Sequence, residues 1–191
     1  MHRIFLISLF ISIQLFLCQS HAIWAQGSLP IPCDGTQLQQ AFDSTHSRYH
    51  HYRVVQKIAP QEGAQALGIK AAFAHFISDI QHIAPVPKRV HGPVNSCDTV
   101  FVIVALKRSN PVLTQIDTVH YSVINYALPG HLLYPGVVIR RIEESDHQLF
   151  VITESWGEGR LPRLNERLST RVWQTVNRDY FAHLREIYSS L

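Results

Sequence analysis

The chain has 191 residues, 46% of them hydrophobic and 16% charged, with a formal net charge of +3. That apolar content supplies a core and excludes disorder over most of the length, and the length suits one domain. The small positive balance gives no case for nucleic acid from charge alone.

Residues 1–22 read as a cleavable signal peptide. Arg3 precedes an apolar stretch from Ile4 to Cys18, and Ser20 and Ala22 form the small-residue cleavage signature. Cutting after Ala25 is a less favoured alternative. The stretch is shorter than the roughly 20 apolar residues of a spanning helix, and no second long apolar run follows, so no transmembrane segment is expected after cleavage. An exported protein, periplasmic or secreted, is the expectation. Cleavage would remove Cys18, leaving Cys33 and Cys97 to pair in an oxidising compartment.

Residues 23–35 read as an extended entry with Pro30, Pro32 and Gly35. A single α+β domain is expected over 36–191. Thr36 with Gln39 makes a capping box, and Leu38, Phe42, Thr45, Tyr49 and Tyr52 keep helical spacing, so a first helix is predicted to run toward Pro60. A second helix is predicted from Gln61 to Ile83, carried by Ile69, Phe73, Phe76, Ile80 and Ile83 and stopped by Pro85. Residues 85–98 read as a loop.

The period then changes to that of strands. Thr99 to Leu106 is a β-branched apolar run that suits a buried strand. Asp117 to Ala127 alternates, with Val119, Tyr121 and Val123 on one face. Val137 to Glu144 and Leu149 to Ser155 make a hairpin across Asp146-His147. The last element is a helix from Asn165 to about Tyr188, with Leu168, Val172, Val176, Tyr180, Leu184 and Ile187 facing inward. The expected fold is therefore two N-terminal helices, a four-stranded, mostly antiparallel sheet, and a long C-terminal helix packed on it. This arrangement resembles helix-grip folds, which often hold an apolar ligand. The resemblance is one of architecture and implies little about function.

Several groups are candidates for binding or chemistry. Arg167, Arg171, Arg178 and Arg185 share one line on the last helix, and Arg160 and Arg163 extend it upstream. An anionic partner would suit that face: lipid headgroups, an acidic protein surface or nucleic acid. A merely solvated face is the competing reading. Asp43, His46 and His50, and again His75, Asp79 and His82, have spacings that metal ligands use, but the two flanks do not converge. No metal site and no cofactor are expected. In the hairpin, a two-residue turn places Arg141 diagonal to Glu154 among Val137, Phe150, Ile152 and Trp156, where a carboxylate could act as acid or base. His120 and His131 would complete a metal-free nuclease-like set. The run from Glu154 to Arg160, with Gly157 and Gly159 around Glu158, suggests a shaped loop at a pocket mouth, with Trp156 a candidate ligand contact.

The favoured reading is an exported, non-catalytic binding domain that uses a sheet–helix cavity or the arginine face. The alternatives are a small secreted hydrolase using Glu154, Arg141, His120 and His131, or a structural subunit of an envelope assembly. Whether the chain is an enzyme is left open by the sequence.

Overall fold

A computed structural model describes residues 42–58, 67–104 and 107–189. The predicted leader, the entry segment with Cys33, and the start of the first predicted helix lie outside these residues. The described elements are β1 (His50–Lys57), α1 (Ile69–Ile77), α2 (Ile80–Ile83), β2 (Thr99–Val104), β3 (Lys107–Asp117), β4 (Ser122–Ala127), β5 (Gly136–Ser145), β6 (Gln148–Gly157) and α3 (Pro162–Ser189). The six strands form one antiparallel sheet in the order β1-β6-β5-β4-β3-β2. Strands β2 to β6 make a meander, and β1 adds at the far side against β6. The α+β class and the terminal helix are as expected, but the sheet has six strands where four were expected.

Two strands account for the difference. The predicted first helix becomes β1 from His50 onward, where burial alternates residue by residue. Before it, the Asp43 carboxylate accepts the Thr45 N–H at 2.8 Å, a local turn that competes with helix. From His50, β1 pairs along its length with β6, so His50, Tyr52 and Val54 face the interior. The second addition is β3, which begins Lys107-Arg108-Ser109-Asn110-Pro111 and carries little strand propensity. Its pairing with β2 and β4 overrides that composition.

The predicted Asp117–Ala127 strand is shorter, and its first residues form a turn. Asp117 accepts the N–H groups of Val119 and His120 at 2.9 and 3.1 Å, which ends β3 and leaves Val119 77% exposed. The second predicted helix is broken at Ser78-Asp79, where Asp79 caps α2 by accepting the Gln81 N–H. The β5–β6 register is the one a two-residue turn dictates, with Ile139 opposite Glu154 and Arg141 opposite Ile152. Asp146 and His147 both adopt left-handed φ, at 51° and 58°, the geometry of a turn matched to strand twist. Helix α3 starts at Pro162, earlier than the predicted Asn165; proline suits a first helical turn because its missing N–H is unpaired there anyway.

One end of the sheet is closed by a packed core. Phe73, Phe76, Ile80 and Ile83 from α1 and α2 meet Tyr180 and Leu184 of α3 over Val123, Ile142 and Val151. Tyr180 donates to the Ala72 carbonyl at 2.9 Å and meets Phe76 edge-on at 5.1 Å. The opposite face of the sheet carries its own cluster, Ile124, Tyr126, Val137 and Ile139 with Phe42, Leu113 and Trp156.

At the centre of the helix-facing side sits Arg140, fully buried. Its guanidinium lies 4.8 Å from the Phe76 ring and 4.8 Å from the Trp173 ring, sandwiched by both. Nε donates to Thr153 Oγ1 at 3.1 Å, Nη1 to the His82 carbonyl at 2.5 Å and Nη2 to Asn177 Oδ1. No carboxylate among the described residues pairs with it, and burial lowers its pKa to about 9. Arg140→Ala strands three acceptors in the interior, so a loss of about 3–5 kcal/mol is expected in urea unfolding. Arg140→Met keeps the volume between the rings and should lose less.

Candidate functional site

The other end of the interior is open. Beyond Arg140 and Trp173 lies a cavity in which the centres of water-sized spheres can occupy about 130 Å³, within about 940 Å³ of empty space that includes open solvent at the mouth. Trp173 forms its inner wall and donates from Nε1 to Tyr52 Oη at 2.9 Å. Val138, Val112 and Val102 on the sheet contribute apolar surface, and Leu132 and Leu133 of the β4–β5 connection form one lip. Leu161, Leu164, Leu168 and Val172, at the start of α3, form the other.

These four are the surprise of the last helix. Leu168 and Val172 were expected to face the core, yet they are 41% and 38% exposed, alongside Leu161 at 37% and Leu164 at 40%. The helix is turned so that Ser169, Trp173, Val176, Asn177 and Tyr180 face inward. Trp173 and Asn177 contact or bond Arg140, which fixes that rotation. The predicted stripe is correct for Val176, Tyr180 and Leu184, which are buried, and fails in the first turns.

A few polar groups line the cavity, among them His50, Asn125, Ser155 and Asn165. Asn125 Oδ1 accepts from Thr114 at 2.8 Å. His50 is 1% exposed, and among the described residues its Nδ1 finds no hydrogen-bond partner; the same is true of Asn165 Nδ2. Burial pulls the His50 imidazole below its ordinary range, against smaller opposing effects of the Arg48 backbone and Glu166. The rim beside His50 is tight. A Cβ on Gly157 would stand 2.7 Å from His50 Cε1 and 2.8 Å from the Pro135 carbonyl oxygen, and one on Gly159 would stand 2.7 Å from Leu133 Cα. Glu158 N–H donates to the Pro135 carbonyl at 2.9 Å, so the glycine segment is strapped beneath the β4–β5 lip.

The candidate hydrolase residues stand apart. Arg141 and Glu154 lie on the outer face, with Arg141 Nη1 donating to Glu154 Oε2 at 3.2 Å. Arg141 also bonds Glu143, and His51 Nε2 lies 3.3 Å from Glu154 Oε1. Burial pushes the Glu154 carboxyl up, but the bonds from His51 and Arg141 outweigh it and hold the group below its ordinary value. Trp156 is on that face too, stacked on His51 at 5.2 Å, so it is not a wall of the cavity. His120 occupies the β3–β4 turn, 2.6 Å from Asp117, whereas His131 lines the cavity beyond the opposite end of β4. At about 3.4 Å per residue, β4 alone holds the two apart by roughly 17 Å.

Neither predicted histidine set keeps its helical geometry. His50 is on β1, and no group of three potential metal ligands occurs among the described residues. His82 instead joins His75 and His183, with ring centroids 4.8 Å (His82–His183) and 5.6 Å (His75–His183) apart. Arg167, Arg171, Arg178 and Arg185 are exposed on α3 as the pattern implied. Cys97 has φ 80° and donates its N–H to the Thr114 carbonyl; its expected partner Cys33 is outside the described residues.

The cavity walls that sequence reasoning missed are His50, Tyr52, Trp173 and the Leu132-Leu133 lip. The alternation of His50, Tyr52, Val54, Gln56 and Ile58 was the available signal for the first two.

No family model matches the chain, and no curated protein matches its sequence. Among solved structures it is similar to that of Ara h 8.0201, with 12% sequence identity and a TM-score of 0.47, over 72% of this chain and 99% of that one. That likeness is too distant to carry a functional argument.

Two outcomes follow from the geometry. Gly157→Ala forces the His50 ring or the Pro135 strap to move, and a loss of about 1–3 kcal/mol in chemical unfolding is expected. The second concerns pH. Burial is the main cause lowering the pKa of His50, His75 and His82 from 6.5, with the neighbouring His183 adding to it for His75 and His82. The unfolded chain therefore binds more protons than the folded one below that value. Stability should be full above about pH 6.5 and should fall as the pH drops below it. Denaturation midpoints measured down to about pH 5 check this, and His82→Gln should flatten the slope.

Proposed function

We propose that this is an exported, non-catalytic binding domain that holds an apolar small molecule in the cavity between its sheet and α3. The observation that carries the reading is the cavity itself, lined mainly by aliphatic side chains and open along one side. Such concave apolar sites with few polar groups are where small ligands bind. Export is supported by the composition of residues 1–22. A Cys33–Cys97 bond belongs to the same reading, and Cys97 is anchored for it by its backbone bond to Thr114. The hydrolase alternative has less support, because Arg141 and Glu154 stand on the outer face while His120 and His131 stand at opposite ends of β4.

The test is native mass spectrometry of chain recovered from an oxidising compartment, together with uptake of an apolar fluorescent probe. A discrete lipid-like adduct is expected. Val138→Trp, which grows into the cavity from the sheet, should weaken probe uptake by about tenfold or more, equivalent to 1.4 kcal/mol. No adduct and no uptake, or equal uptake by the variant, would overturn the cavity reading. The intact mass also reports cleavage after Ala22 or Ala25. Reduction should restore two hydrogens if the cysteines are paired; an unchanged mass would remove the bond from the reading.

A further inference from the structure

Around the start of α3 the sequence repeats one unit. Arg160-Leu161, Arg163-Leu164, Arg167-Leu168 and Arg171-Val172 each place an arginine directly before an aliphatic residue. Within the helix the last three pairs recur every four residues, so the aliphatic members share one strip and the arginines another, about 100° round the axis. The structure shows what each strip does. The aliphatic strip is the cavity lip, 37–41% exposed across Leu161, Leu164 and Leu168 and 38% at Val172. The arginine strip is exposed at all four positions, and none of its members pairs with a carboxylate among the described residues.

The nearest acids are occupied elsewhere. Glu158 accepts the Asp43 N–H at 2.8 Å, and Glu166 accepts the His51 N–H at 3.3 Å. Further along, Arg178 lies 3.9 Å from Asp179 and no exposed aliphatic lip accompanies it. Along α3 and the residues leading into it, unopposed charge and exposed aliphatic surface therefore coincide over residues 160–172. A free polyanion such as RNA needs the charge but not the leucines, and an apolar protein patch needs the leucines but not the charge. A bilayer carrying anionic phospholipid uses both: the aliphatic strip sits at the acyl boundary while the guanidinium groups bond phosphates.

We propose that the Arg160–Val172 segment is a docking surface for anionic phospholipid membrane, seated so that the mouth of the cavity faces the bilayer. It rests on the cavity reading only for what passes through that mouth. No helix among the described residues is long and apolar enough to cross a membrane, so the contact is with the surface.

The test is sedimentation of the exported chain with phosphatidylcholine vesicles, with and without phosphatidylglycerol. Binding is expected with phosphatidylglycerol, weakened by salt, and absent without it. Arg167→Gln with Arg171→Gln should lower affinity by about 25-fold, at about fivefold for each arginine near an anionic surface. Leu164→Ser with Leu168→Ser keeps the charge and should also lower it by about tenfold or more. Thermal melts report whether these exposed substitutions leave the fold intact. Equal binding to both vesicle types, no binding to either, or affinity unchanged by the serine pair would overturn the proposal. So would RNA binding of equal strength that is insensitive to the serine pair. Probe uptake measured on the same samples separates the two claims. Uptake without vesicle binding sinks docking alone, and vesicle binding without uptake sinks the cavity alone.

Discussion

A cation with no carboxylate beside it among the described residues sets the interior of this protein. Arg140 projects from the middle of the sheet, and everything that neutralises its burial is neutral itself: a hydroxyl, an amide oxygen, a backbone carbonyl and two ring faces. They come from four different elements. Thr153 belongs to β6, the His82 carbonyl to α2, Asn177 and Trp173 to α3, and Phe76 to α1. Desolvating a guanidinium is expensive unless nearly all its donors are met. The helices are thus held to one place and one rotation on the sheet, beyond what apolar contact specifies. Asn177 extends the arrangement by donating to Gln56 Oε1 at 2.5 Å, which ties in β1.

The same residue divides α3 into two functional halves. From Trp173 onward the helix is bolted down by Arg140, the Tyr180–Ala72 bond and the packed core. Before Trp173 the helix has cavity beneath it rather than side chains. The Trp173 ring is both a face of the cation sandwich and the inner wall of the cavity, so the packed end and the open end share one side chain. That placement explains how Leu164, Leu168 and Val172 stay exposed on an otherwise well-packed helix, with Leu161 just before it. They border a space that the sheet does not fill.

The sequence made α3, β2, the β5–β6 hairpin and its register legible because those segments carry unbroken period and a turn that tolerates left-handed φ. It misled where two periods coincide. Leu38, Phe42, Thr45, Tyr49 and Tyr52 fit a helical stripe, but Tyr52 also belongs to the alternating set that β6 recruits, and long-range pairing decided the outcome. At β3 the residues Lys107 to Pro111 carry no strand signal, and their pairing with β2 makes them a strand. The cavity was legible as an architectural resemblance and no further. Its walls depend on the rotation of α3, and that rotation depends on Arg140, whose partners are scattered from residue 76 to residue 177. Nothing in the run Ile139-Arg140-Arg141-Ile142 distinguishes the buried arginine from its outward-facing neighbour except the parity of the strand.

The pairing of β1 with β6 has a temporal consequence. His50 lies opposite Gly157 and Lys57 opposite Phe150, so the earliest strand among the described residues pairs with the latest one. The meander from β2 to β6 closes in order by short connections, whereas β1 waits about a hundred residues for an edge to exist. During that wait its inward-facing side chains, Tyr52 and Val54 among them, have no sheet to join. The cavity wall of His50 and Tyr52 rides on this strand, so that side of the cavity would be among the last parts of the molecule to take shape.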